Sequence, residues 1–194
     1  MADLFDSNQG EYKRVFHEAL DFEKYVASGS DAQQQRWRDY CTRIELATNQ
    51  RTVLYGFVRE LNILVLSGIW CGDCARQGPM LAAIAAECPK LNLRFVENEA
   101  YPELRDQLRI HGAARVPVVL TLSEDFFELN RLGDRTLAAY RRKAANELGP
   151  ACDAGIVPPS KDELALEIDD WVRHFERLHL MVRLSPFLRK RHGD

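Results

Sequence analysis

Four apolar residues in succession, Ile63-Leu64-Val65-Leu66, have the pattern of a strand buried on both faces. Ser67-Gly68 breaks the run. Met80, Leu81, Ile84 and Ala85 then recur at helical spacing, so a helix starts close behind the strand. Leu91-Asn92-Leu93-Arg94-Phe95 alternates as a strand does, and Cys88-Pro89-Lys90 separates it from the helix. Pro102 opens a short helix through Leu108, ended by Gly112. Pro117 to Leu122 is the next strand, and Ser123-Glu124-Asp125 turns the chain into an antiparallel partner over Phe126 to Leu132. Gly133-Asp134 then caps a helix carrying Leu137, Tyr140, Ala144 and Leu148.

The first fifty residues are patterned as helices. Tyr12, Phe16, Ala19, Leu20 and Val26 mark one apolar face. After Ser28-Gly29-Ser30, Asp31 caps a second helix with Trp37, Tyr40, Cys41 and Ile44. Thr48 caps a third, in which Val53, Leu54, Phe57, Val58 and Leu61 keep the period. At the other end Gly149 to Ser160 reads as a linker. Ser160 and Glu163 form a capping box for a helix whose stripe is Leu164, Ile168, Trp171, Phe175 and Leu178. That stripe is expected to pack on the rest of the protein. The organisation expected is a helical extension over 1–50, a central domain over 51–148, and a linker with a packed helix over 149–194.

A chain of 194 residues with 46% hydrophobic and 28% charged residues can bury a full core. Its net charge of −3 gives no reason to expect nucleic acid, and Arg189-Lys190-Arg191 is too short a basic run to suggest it. Met1-Ala-Asp-Leu-Phe-Asp has neither the basic start nor the apolar stretch of a signal peptide, and no run reaches the length of a membrane span. Five cysteines are an odd number, of which only Cys71 and Cys74 are close together, so a secreted disulfide framework is not expected. A reducing cytoplasm is.

The chemistry is concentrated in Trp70-Cys71-Gly72-Asp73-Cys74, between the buried strand and the helix. The first turn of a helix offers free N–H groups and a positive dipole end, and both favour a thiolate. Two cysteines three apart on that turn can close a small disulfide. Cys71 is expected to be the exposed attacker, and Cys74 the shielded thiol that releases a mixed disulfide. Structural zinc would need four ligands, and the spacings of Cys41, Cys88, Cys152 and His111 match no zinc pattern. Those three cysteines read as small packed hydrophobes, and His17, His111, His174, His179 and His192 as scattered polar residues.

Trp-Cys-x-x-Cys after a buried strand resembles the active site of the thioredoxin superfamily. Pro79, five residues after Cys74, is similar to the family's helix-kinking proline, and Val116-Pro117 resembles its cis-proline. The resemblance covers Leu61 to Leu148 and implies a thioredoxin-like α/β fold, a central mixed sheet flanked by helices. It implies a cis Pro117 against the cysteine pair and a Val116 backbone free to pair with a substrate strand. Trp70, Gly72, Asp73, Val116 and Pro117 become the expected substrate-binding residues. The family's opening strand is not found in the first fifty residues, where it is missing or replaced by helix.

Two positions depart from the family. Its buried acid, six residues before the first cysteine, is Val65 here, so water or a carboxylate such as Glu97 or Glu99 must take the resolving thiol's proton. The dipeptide between the cysteines is Gly-Asp, and the Asp73 charge is expected to raise the Cys71 pKa by repulsion on the order of 1 kcal/mol. The function expected is thiol–disulfide oxidoreduction without metal or organic cofactor. Its partners would be a disulfide-containing protein or low-molecular-weight thiol and an unidentified electron donor. The alternative is an interaction or redox-sensing module without turnover.

Overall fold

The computed structural model describes residues 6–148 and 163–193. Four helices come first, α1 (Gln9–Glu18), α2 (Phe22–Ala27), α3 (Asp31–Cys41) and α4 (Thr48–Tyr55). The central part runs β1 (Leu61–Ser67), α5 (Gly72–Glu87), β2 (Leu91–Glu97), α6 (Pro102–Gln107), β3 (Val118–Leu122), β4 (Glu128–Gly133) and α7 (Leu137–Leu148). Two further helices, α8 (Glu163–Leu184) and α9 (Pro186–His192), follow. The linker over 149–160, the Ser160 cap and Cys152 lie outside the described residues.

The sheet order is β2-β1-β3-β4, with β1 parallel to β2 and antiparallel to β3, and β3 antiparallel to β4. β1 is wholly buried because helices cover both faces. Ile63 and Val65 point into a large core shared with α2, α3, α4, α5 and α8, while Leu64 and Leu66 point into a smaller one shared with α1 and α6. The α8 stripe Ile168, Trp171, Phe175 and Leu178 lies in the large core. This is the thioredoxin-like mixed sheet with added helices that the pattern and the resemblance imply.

No strand lies outside β2 among the described residues. In its place Leu20, between α1 and α2, makes one antiparallel bridge to Phe95, exchanging two backbone hydrogen bonds of 2.9 and 2.8 Å. The apolar face assigned to a single helix from Tyr12 to Val26 is therefore broken at Leu20, where Asp21 caps α2 by accepting from Lys24 N–H at 2.9 Å. A bridged edge leaves fewer backbone groups open to another chain.

Other boundaries differ from the sequence reading. α4 stops at Tyr55, Val58 is 50% exposed, and Leu61 opens β1. The helical period ran on because Phe57 is also buried, against the His179 ring at 4.3 Å. α3 ends at Cys41, before Ile44. Ser30 precedes α3 in place of an Asp31 cap, and its N–H donates to the Gln33 side chain. Ala47 precedes α4 in place of Thr48, and its N–H donates to Gln50. Phe126 sits in the turn with φ 63°, so the second hairpin strand starts at Glu128. Asp134 does not cap α7; Thr136 Oγ1 accepts from Ala139 N–H instead.

Trp37 joins the helical extension to the end of the sheet that carries Cys71 and Cys74. Its ring is 0% exposed, meets Tyr25 edge-on at 5.5 Å, and donates its indole N–H to Ile69 O at 3.0 Å. A methyl group on Gly78 of α5 would sit 2.1 Å from Trp37 Cζ3. In an open helix Gly→Ala would add about 1 kcal/mol of stability. Here the ring cannot recede, so Gly78→Ala is expected to lower stability by about 1–3 kcal/mol. The check is the urea midpoint at constant slope, and a raised midpoint would show that the ring has room to move.

Candidate active site

The site forms where β1 hands over to α5. Gly68 has no side chain because the Trp70 indole lies over it; a Cβ there would be 2.9 Å from Trp70 Cε2. Trp70 is 51% exposed beside the cysteines, at the surface. Cys71 is the N-cap of α5, with its N–H bonded to Gly68 O at 2.9 Å. Both cysteines are free thiols, Cys71 half-buried and Cys74 only 1% exposed. Pro79 lies inside α5, buried like Gly78 before it.

The surroundings of the two sulfurs shift their acidities in opposite directions. A hydrogen bond from the Cys74 thiol is the main cause that lowers the Cys71 pKa, to about 6. Partial burial opposes it, the backbone N–H groups of Cys74 and Asp73 assist, and the Asp73 charge opposes weakly. Burial, followed by the hydrogen bond to Cys71, pushes Cys74 well above the usual thiol value. Gly68 N–H donates to Cys74 Sγ at 3.4 Å.

Val116-Pro117 is cis and lies against this pair. When protonated, the Cys71 thiol donates to Val116 O over 3.7 Å, so that carbonyl faces the Cys71 sulfur. Gly72 opens α5 with open space where a side chain would be. Trp70, Cys71, Gly72, Asp73, Cys74, Val116 and Pro117 therefore come together at one end of the sheet.

The Asp73 carboxylate is not alone. It is ion-paired with Arg135, which also pairs with Asp134 at 2.8 Å. Arg115, just before Val116, pairs with Asp134 at 3.0 Å, Tyr140 donates to Asp134, and Gln77 of α5 donates to Asp134 O at 2.8 Å. Burial works against the Asp134 charge, but bonds from Tyr140, its own backbone and Arg115, with the Arg135 charge, hold its carboxyl below the usual range. Four groups of alternating charge thus line one side of the site. Arg115, Asp134, Arg135 and Tyr140 carried no sequence signal beyond a Gly-Asp pair that reads as a helix cap. Among the described residues no cluster of three His, Cys, Asp or Glu side chains is placed to hold a metal ion.

Residues 19–143 match the thioredoxin family profile. A crystal structure of a Pseudomonas aeruginosa protein of unknown function has a TM-score of 0.66 at 21% identity, covering 86% of this chain and 95% of that one. An HIV epitope scaffold is similar over 88% of this chain and 94% of its own, with a TM-score of 0.59 at 21% identity. At such identity the likeness is one of fold. No curated protein matches the chain.

A thiol with a pKa of about 6 is mostly ionised at pH 7, so Cys71 alkylation by iodoacetamide is expected to rise through pH 6 and level off by about pH 8. Asp73→Asn removes a negative neighbour and is expected to lower that midpoint by roughly half a unit. Arg135→Gln leaves Asp73 unpaired and is expected to raise it by a similar amount, roughly half a unit. Equal midpoints in both variants and the wild type would show that the ion pair does not act on the sulfur.

Proposed function

Because this chain belongs to the thioredoxin family, we propose that it is a thiol–disulfide oxidoreductase with Cys71 as nucleophile and Cys74 as resolving thiol. The observation that carries the proposal is the asymmetry of the pair: a half-buried sulfur ionised near pH 6 hydrogen-bonded to a buried one that keeps its proton. The thiolate attacks one sulfur of a substrate disulfide, forms a mixed disulfide and expels the first thiolate. Cys74 then loses its proton and attacks Cys71 Sγ. The second substrate thiol leaves, and the Cys71–Cys74 disulfide remains. Two electrons have passed to the substrate, so an external dithiol or equivalent donor must return them before another cycle.

Each proposed substrate-binding residue has a role in that sequence. The exposed Trp70 ring offers an apolar surface beside the sulfur, and Val116 and Pro117 supply the backbone along which an extended substrate segment would lie. Gly72, bare at its Cα, lets the substrate approach the sulfur. Asp73, held by Arg135, keeps the rim nearly neutral. The partners proposed are a disulfide-containing protein or a low-molecular-weight thiol, with a donor still to be identified, and no nucleic acid or membrane. The compartment proposed is the cytoplasm. Among the described residues no helix is long and apolar enough to cross a membrane.

The test is insulin reduction with dithiothreitol as donor, in which the wild type is expected to accelerate turnover and Cys71→Ser to abolish the acceleration. Cys74→Ser is expected to trap a mixed disulfide with a protein substrate, whereas Cys71→Ser traps none. Equal capture by both variants would reverse or remove the assigned roles. A wild type that binds a disulfide peptide but never turns over would favour an interaction or sensing module.

A further inference from the structure

The exchange just proposed requires the buried Cys74 to shed a proton into a region with little access to water. The structure supplies three polar groups there. Ser67 and Glu97 are register partners on the parallel strands β1 and β2, and both follow inward-facing residues, Val65 and Phe95, at the two-residue spacing that keeps them on the α5 side. Tyr25 of α2 lies across them, 1% exposed, with its ring stacked on Phe95 at 5.3 Å. Its hydroxyl donates to Glu97 Oε2 at 2.8 Å, and the same carboxylate oxygen accepts Ile69 N–H at 2.9 Å. Ser67 is completely buried, and its hydroxyl has no hydrogen-bond partner among the described residues. It directly precedes Gly68, whose N–H donates to Cys74 Sγ at 3.4 Å, and stands in register with Glu97, which holds the Tyr25 hydroxyl. A buried hydroxyl without a fixed partner, between a thiol and a phenol, is costly unless it has a use.

We propose that Ser67, Tyr25 and Glu97 form the path by which Cys74 loses its proton when it resolves a mixed disulfide. The proposal rests on the reading of Cys71 and Cys74 as an exchanging pair. The Cys74 thiol proton passes to Ser67 Oγ, the Ser67 proton to Tyr25 Oη, and the Tyr25 proton to the Glu97 carboxylate. Cys74 is left as a thiolate and Glu97 as a carboxylic acid, with no net change elsewhere. The new Cys74–Cys71 bond forms as the Cys71–substrate bond breaks, and the electron pair leaves with the substrate thiolate. Glu97, partly open to solvent, then returns its proton to water or to that thiolate. Glu99 is exposed beyond the strand end and takes no part. Tyr25 and Glu97 act through Ser67 and are positioning residues for the resolving step.

The titratable groups bearing on Cys74 are Cys71 from its own helix, Tyr25 from α2 and, behind Tyr25, Glu97 from β2. The two chemical steps can be read separately with dithiobis(nitrobenzoate) as the disulfide. The first thionitrobenzoate released reports attack by Cys71, and the second reports resolution by Cys74. A background of Cys41→Ser with Cys152→Ser leaves the buried Cys88 as the one thiol besides the pair. Tyr25→Phe keeps the ring stack, and Glu97→Gln keeps an acceptor for Ile69 N–H. Both are expected to leave the first phase unchanged and to slow the second roughly a hundredfold at pH 7, the lower end of what a positioned acid–base group contributes. Ser67→Ala is expected to do the same. The deficit should shrink toward pH 10, where hydroxide removes the proton directly. Second phases at the background rate in all three variants, or equal slowing of both phases, would overturn the path. A background protein that releases only one equivalent would instead overturn the exchange reading itself.

Discussion

The Trp37 indole fills the hollow that Gly78 leaves on α5 and gives its N–H to Ile69 O, the carbonyl just before Trp70. Those two contacts reach from the helical extension to both flanks of the turn that carries the cysteine pair. With the ring in place, α3 lies on α5 and the turn between β1 and α5 has one of its carbonyls satisfied. Tyr25, edge-on to the same ring, is thereby set over Phe95 and within reach of Glu97. The extension is part of the machinery's frame, because the residues that order the turn are drawn from it.

Charge around the pair is arranged as locally as packing is. A carboxylate next to a reactive thiolate raises its energy, and Asp73 taken alone would do so. The Arg135 guanidinium opposes that field at close range, and Asp134 in turn balances Arg135 and Arg115. What remains at Cys71 is dominated by hydrogen bonds, from the Cys74 thiol and from helix N–H groups. Hydrogen bonds of this kind depend on direction and on a dry partner, and salt screens them far less than it screens an exposed charge.

Much of this was legible because it is local in sequence. The uninterrupted run Ile63 to Leu66, the punctuation at Ser67-Gly68 and the five residues from Trp70 to Cys74 announce a strand, a turn and a helix start within twelve positions. Periodicity placed the α8 stripe correctly, since Trp171 and Phe175 have no alternative but the core. It failed at Phe57 and Leu61, where apolar residues of a loop and a strand happened to fall in helical phase. It failed also at Leu20, whose single bridge to Phe95 is a backbone event with no side-chain signature. The Asp73–Arg135 pair and the Tyr25–Glu97 bond join residues far apart in the chain, and one sequence carries no record of such meetings.

The position of α8 in the chain has a consequence for how the protein is made. Ile168, Trp171, Phe175 and Leu178 close a core whose other walls, α2 to α5 and the inner face of β1, precede them by the whole length of the sheet. Contacts of such separation form late, because a long loop must be closed before they contribute. A nascent chain that has finished its sheet but not yet α8 would hold Val65, Leu81 and Ile84 beneath an open hydrophobic face. Exposed apolar surface of that kind makes an intermediate prone to aggregate until α8 arrives to cover it.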